Sequence, residues 1–176
     1  MTITPEAAER AAAALSGDHR WEITPEGNLV LMSPANAIQS MIVMRLAAWF
    51  LQHGFNPRQV LTEVGIRTVG DGLRGPDLAV FDQIPELDGP WAATDALRLI
   101  VEVASPSTRR TDETDKVDEY ARIGCPLYWT VEPLEDDDAM VVMRLLDAER
   151  RYAVTGHALL SKLVEHDDPR ARLGQG

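Results

Sequence analysis

Two acidic residues stand where an acid is costly. Glu102 interrupts the apolar run "LRLIVEVAS" (97–105), and Asp77 opens the short run "PDLAVFD" (76–82). Burying even a neutral polar group without a partner costs roughly 2–7 kcal/mol, and an ionised one costs more. Neighbouring strands would set the two carboxylates side by side, where like charges repel unless a dication lies between them. An all-oxygen pair of this kind suits Mg2+ or Mn2+, which take one or two protein carboxylates and keep several waters.

A lysine completes the chemistry. "TDETDKVDEYARIG" (111–124) has capping residues at Thr111 or Asp112, acids in its first turn and Gly124 at its end, and so predicts a helix. Asp112, Lys116 and Tyr120 fall at i, i+4 and i+8 on one face of it. If the helix folds back on the Glu102 strand, Lys116 can orient or deprotonate an attacking water or stabilise charge on a phosphate. Tyr120 packs on that face with its hydroxyl toward the site, and Arg109 and Arg110 in the preceding connection are candidate phosphate contacts.

Each residue also has a purely structural reading. Glu102 can pair with Arg67 or Arg74, Asp77 can cap a turn after Pro76, and Lys116 can pair with Asp112 on a solvated face. Arg109 and Arg110 can be ordinary surface residues. Ser105 and Ser107 have no nearby histidine to activate them, and the four histidines show no ligand spacing. Cys125, between Gly124 and Pro126, reads as a small buried filler.

The elements that must position these groups follow from periodicity and turn residues. A helix is predicted over 4–15, a hairpin over 20–34 turning at Pro25–Asn28, and a helix over 35–53. Strands follow over 59–70, 76–82 and 97–105, with 83–96 a loop. After the 111–124 helix come a strand over 126–132 and a hairpin over 140–156 around Ala148–Arg150. Residues 157–176 are expected to add a short helix and then fray. The expected fold is a single α/β domain over 1–176, with a mixed central sheet flanked by helices.

Composition narrows the class. The formal net charge of −11 argues against a non-specific polyanion binder, so any nucleic acid must meet a local positive cleft. Of the seventeen basic residues only Lys116 and Lys162 are lysines. The apolar run Met41–Leu51 is broken by Arg45 and too short to span a bilayer, and no membrane association is expected. The amino terminus lacks a signal-peptide pattern, and the single cysteine suits a reducing cytoplasm, the expected location.

"GPDLAVF" followed by "LIVEVASPSTRRTDETDKVDEYARIGCPLYWTVEP" resembles the signature of the Uma-type proteins, restriction-endonuclease-like domains of the PD-(D/E)XK nuclease superfamily. The likeness runs over about 20–155 and is densest over 75–133. It implies a restriction-endonuclease-like core in which Asp77 and Glu102 hold Mg2+ (or Mn2+) and Lys116 is the catalytic lysine. In the wider superfamily that lysine stands two residues after the glutamate, a position held here by Ala104. It further implies an endonuclease hydrolysing DNA phosphodiester bonds, with Arg109, Arg110 and Tyr120 at the substrate, and a homodimer as in many nucleases of this fold.

Three features depart from the family pattern. Members often carry a histidine at the start of the long helix, after a Ser-Pro; Ser33-Pro34 is followed by Ile38 and Gln39 instead. An additional acidic ligand from the first elements is absent, Glu22 being the nearest candidate, and the carboxyl-terminal apolar segment is curtailed. The alternative reading is a catalytically decayed nuclease-fold module that binds or regulates. A third is a dimeric partner protein using the apolar 140–146 strand as a pairing edge.

Overall fold

Leu97–Val103 (β9) is apolar at every odd position, with Ile100 buried between Arg98 and Glu102 on the other side, so both faces of the strand are covered at its centre. β9 runs parallel to Leu127–Pro133 (β10), with Leu99 opposite Leu127 and Glu102 opposite Thr130. Parallel neighbours need a crossover, here the helix Asp112–Ile123 (α2). The chain is described from a computed structural model for residues 7, 10, 20–32, 34–88, 91–104 and 112–174. The helix expected over 4–15 lies largely outside the described residues.

Among the described residues the strands form two six-stranded sheets. The first contains the hairpin Arg20–Ile23 (β1) and Leu29–Met32 (β2), with Leu73–Arg74 (β5), Gly65–Arg67 (β4), Trp91–Ala92 (β8) and Leu87–Asp88 (β7). The second has the order Tyr152–Leu159 (β12), Ala139–Leu146 (β11), β10, β9, Leu78–Phe81 (β6) and Val60–Thr62 (β3).

Helix Ala37–Gln52 (α1) is fixed at its start by Asn36, whose side chain accepts from Gln39 N while Gln39 returns a bond to the Asn36 backbone. Ile42, Leu46, Trp49 and Phe50 of α1 pack on Leu78, Val80, Leu99, Val101 and Trp129 of the second sheet. The opposite face of that sheet, through Ala79, Phe81, Ile100 and Tyr128, packs on Tyr120 of α2. The strand pattern therefore sorts residues by layer past its first two positions: Leu99, Val101 and Val103 of β9 face α1, while Ile100 and Glu102 face α2.

Four expectations are corrected. The run 59–70 is not one strand. Glu63 adopts a left-handed backbone (φ 54), and the break sends β3 into one sheet and β4 into the other. The loop expected over 83–96 contains the small antiparallel pair β7 and β8. Residues 157–174 do not fray. β12 runs to Leu159, and the helices Leu160–His166 (α3) and Pro169–Arg172 (α4) bury Leu160, Leu163 and Leu173 in the main core. Arg98 anchors this end by donating to the Leu173 carbonyl at 2.9 Å. Finally, the 140–146 strand is no edge. β11 pairs on both sides, and β12 is the outer strand.

Candidate active site

Alternation along two paired strands brings the two acids together. β6 runs antiparallel to β9, with Leu78 opposite Val101 and Val80 opposite Leu99. Asp77 stands one residue before β6, where this register continued would set it opposite Glu102; its charge bears on Glu102, and it lines the groove beside α1. Asp77 Oδ2 accepts from the Val103 amide at 2.7 Å, so its carboxylate is pinned to the same strand that carries Glu102.

Lys116 meets Glu102 from α2. Its Nζ lies 3.3 Å from Glu102 Oε1, and Tyr120, one turn along the helix, donates its hydroxyl to the same oxygen at 2.7 Å. The i, i+4 spacing read from the sequence is what lets both groups reach one carboxylate. Neither arginine suggested as a partner for Glu102 serves: Arg74 is bonded to Glu22 and Glu119, and the Arg67 guanidinium lies 6.0 Å from the Trp91 ring centre. Lys116 is 2% exposed, so the solvated-face alternative fails for it.

The hairpin adds a third layer of charge. Glu22 Oε1 lies 3.0 Å from Lys116 Nζ and accepts from the Gly75 amide at 3.2 Å, while Glu22 Oε2 accepts from Arg74 Nη1 at 2.9 Å. Arg74 reaches on to Glu119 with Nε at 2.9 Å, and Thr68 donates to the same Glu119 oxygen at 3.0 Å. On the outer side Arg20 Nη1 donates to Asp77 Oδ1 at 3.1 Å. Gln39, one of the two residues where the histidine of the family pattern is expected, donates to the Val103 carbonyl at 3.3 Å. It thus holds the residue whose amide holds Asp77.

This arrangement shapes the acidities. Burial pushes Glu102 up, opposed by Lys116 and reinforced by the charges of Asp77 and Glu22, to about 7. Burial also penalises ionised Glu22, but Lys116 and Arg74 outweigh it and hold that carboxyl below its ordinary range. The Tyr120 hydroxyl is driven well up, by burial first and by Glu102 and Glu22 after it, and stays a donor.

Sequence reasoning named Asp77, Glu102, Lys116 and Tyr120, and the structure gathers these four. It missed Arg20 and Glu119, offered Arg74 as a partner for Glu102 instead of for Glu22 and Glu119, and gave Glu22 only a marginal place. Glu22 carried the same signal as Glu102, an acid inside the apolar strand "RWEI", and Glu119 stands one residue from Tyr120 on the helix. Arg109 and Arg110, with Ser105 and Ser107, lie outside the described residues. Among the described residues no cluster of three or more His, Cys, Asp or Glu side chains is arranged to hold a metal. A groove of about 200 Å³ between α1 and the β3 end reaches Asp77, with Val43, Met44, Ala47 and Glu63 in its walls.

Comparison with protein families matches residues 6–163 to the family described as "Uma2: Putative restriction endonuclease". The chain belongs to this family. The Uma2 match includes Glu22, Asp77, Glu102, Lys116 and Tyr120. Among curated proteins the chain has no match. Its structure is similar to that of a protein from Anabaena variabilis described as a "putative nuclease belonging to DUF820". The identity is 17%, the TM-score 0.58, and the likeness covers 86% of this chain and 82% of that one. The restriction-endonuclease-like α/β architecture expected for a Uma2 protein is the one found here.

Proposed function

We propose that this Uma2 protein is a metal-dependent endonuclease that hydrolyses phosphodiester bonds in DNA. The observation that carries the reading is that Asp77, pinned to the Glu102 strand by the Val103 amide, bears on Glu102, which also meets the buried ammonium of Lys116.

The donor set fits a hard dication. Two carboxylates suffice for Mg2+ or Mn2+, which fill the rest of their shell with water. The cluster's acids, Glu22, Asp77, Glu102 and Glu119, outnumber its described cations, Arg20, Arg74 and Lys116, so a further positive charge is favoured. Bound by Asp77 and Glu102, the metal supplies Lewis-acid polarisation of a phosphoryl oxygen and a water of lowered pKa. Tyr120 and the Val103 amide hold the two carboxylates in place. Lys116, itself fixed by Glu22, sits where an ammonium can orient the water or stabilise charge on the phosphate. Arg109 and Arg110 are the proposed phosphate contacts, DNA the proposed partner, and a homodimer the proposed working form in the cytoplasm.

A second reading, a nuclease-fold module that binds or regulates without cleaving, is favoured by Gln39 in place of histidine and by the internal neutralisation of both acids. Cleavage of plasmid DNA with Mg2+ or Mn2+ separates the two. The endonuclease reading expects nicking by wild type and a loss of orders of magnitude in D77N, E102Q and K116M, each still folded. Wild type that leaves DNA intact at all metal concentrations would support the second reading.

A further inference from the structure

Among the described residues three cations serve the acidic cluster, and they differ in access. The side chains of Arg74 and Lys116 are 6% and 3% exposed, whereas that of Arg20 is 25% exposed. Arg20 is also the one placed toward the groove. Its guanidinium touches Asp77 and Glu63, and both of those residues line the groove walls. Arg20 Nη1 lies 3.1 Å from Asp77 Oδ1 and 3.5 Å from Glu63 Oε1, and Nη2 donates to the Gly75 carbonyl.

The two oxygens of Asp77 are used differently. Oδ2 accepts from the Val103 backbone amide, which ties the Asp77 side chain to β9. Oδ1 is held by the Arg20 side chain, which is a quarter exposed. Glu63 keeps a left-handed backbone that L residues rarely adopt. That conformation presents its carboxylate as a second anchor beside the first.

We propose that Arg20 is an exchangeable counter-ion of this site: it neutralises Asp77 Oδ1 in the metal-free protein, cedes that oxygen to a dication, and turns into the groove to hold a phosphate of the bound strand. The inference rests on the reading of Asp77 and Glu102 as metal ligands. A chain of net charge −11 needs a cation that becomes available to phosphate only when the site is loaded. Arg20 has that property because its partners are the metal-binding oxygen itself and an exposed glutamate. Guanidinium also suits phosphate through paired donors.

The test is a pair of titrations on wild type, R20Q, R20K and D77N: Mn2+ followed by electron paramagnetic resonance, and a fluorescent oligonucleotide in the presence of Ca2+. Cooperative melting is checked for each. The proposal expects R20Q to bind Mn2+ about tenfold more tightly than wild type, the worth of one lost competing pair, and the oligonucleotide at least several-fold more weakly. A merely structural Arg20 would lower both affinities together. R20Q binding Mn2+ no better than wild type, while D77N abolishes binding, overturns the exchange and leaves the metal site standing. Mn2+ affinity unchanged in D77N overturns the metal-site reading itself. Should R20Q fail to fold, R20K is decisive: tighter Mn2+ with weaker oligonucleotide supports the exchange, and any other pattern overturns it.

Discussion

Lys116 Nζ lies 3.0 Å from Glu22 Oε1, a contact that joins a helix behind the central sheet to a hairpin 94 residues earlier in the chain. Both groups are almost fully buried, at 2% exposure each. Through this contact the amino-terminal hairpin is part of the candidate site and not an appendage to it. Without Glu22, Lys116 and Arg74 would each lose a carboxylate partner.

Removing Glu22 is therefore costly. Breaking a buried pair by deleting one partner costs about 3–5 kcal/mol, and E22A should lose stability in that range by urea denaturation. E22Q keeps the shape and an acceptor and should lose less, about 1–3 kcal/mol. Variants as stable as wild type would show that the network contributes nothing to the fold.

Stability should fall as pH rises toward neutrality. The folded Glu102 titrates near 7 against an ordinary 4.5, because burial and the neighbouring acids disfavour its charge. Between those values the folded state binds more protons than the unfolded one, so its stabilising contribution is present at low pH and is lost through the window. In metal-free buffer, thermal melts from pH 5 to 8 should show this decline for wild type and a flatter profile for E102Q. Identical profiles would remove the case for a perturbed Glu102. Glu22 acts with the opposite sign: its carboxyl, held below the ordinary range by Lys116 and Arg74 against the penalty of burial, contributes stability that disappears only toward acid.

Tyr120 donates to the same Glu102 oxygen that Lys116 approaches. Y120F takes away a bond that favours the ionised carboxylate. The Glu102 titration, followed by carbon NMR of its carboxyl, should move above 7, and stability at pH 8 should drop by about 1.5–3 kcal/mol. An unmoved titration would mean that the hydroxyl serves packing alone.

The carboxyl-terminal helices should be integral to the core. Leu163 is fully buried against the α1 layer, and L163A should cost about 2–5 kcal/mol in a denaturation experiment. A cost under 1 kcal/mol would fit the frayed tail that the sequence suggests better than the packed helix.

Much of this was readable in the residues because burial leaves a mark on composition. Glu102 and Asp77 were visible as acids in apolar strands, and Lys116 and Tyr120 as a helical pair at i, i+4. What escaped has a common cause. Arg74 and Glu119 look like surface charges in their own segments and become buried only through each other, a pairing across 45 positions that no local pattern encodes. Glu63 reads as one step of a continuous strand because a left-handed backbone has no signature in a glutamate. The tail was misread because "HALLSKLVEHDD" is polar enough to pass for a solvated end, yet Leu160 and Leu163 fall on the one face that meets α1.

The central claim is that Asp77 and Glu102 together hold a hard dication. A crystal grown with Mn2+ and measured at the manganese edge tests it most directly. The account predicts an anomalous peak bonded to both carboxylates, with Lys116 beside it and Arg20 withdrawn from Asp77. Saturating Mn2+ that leaves Arg20 on Asp77 and Lys116 on Glu102, with no peak between the acids, would contradict it.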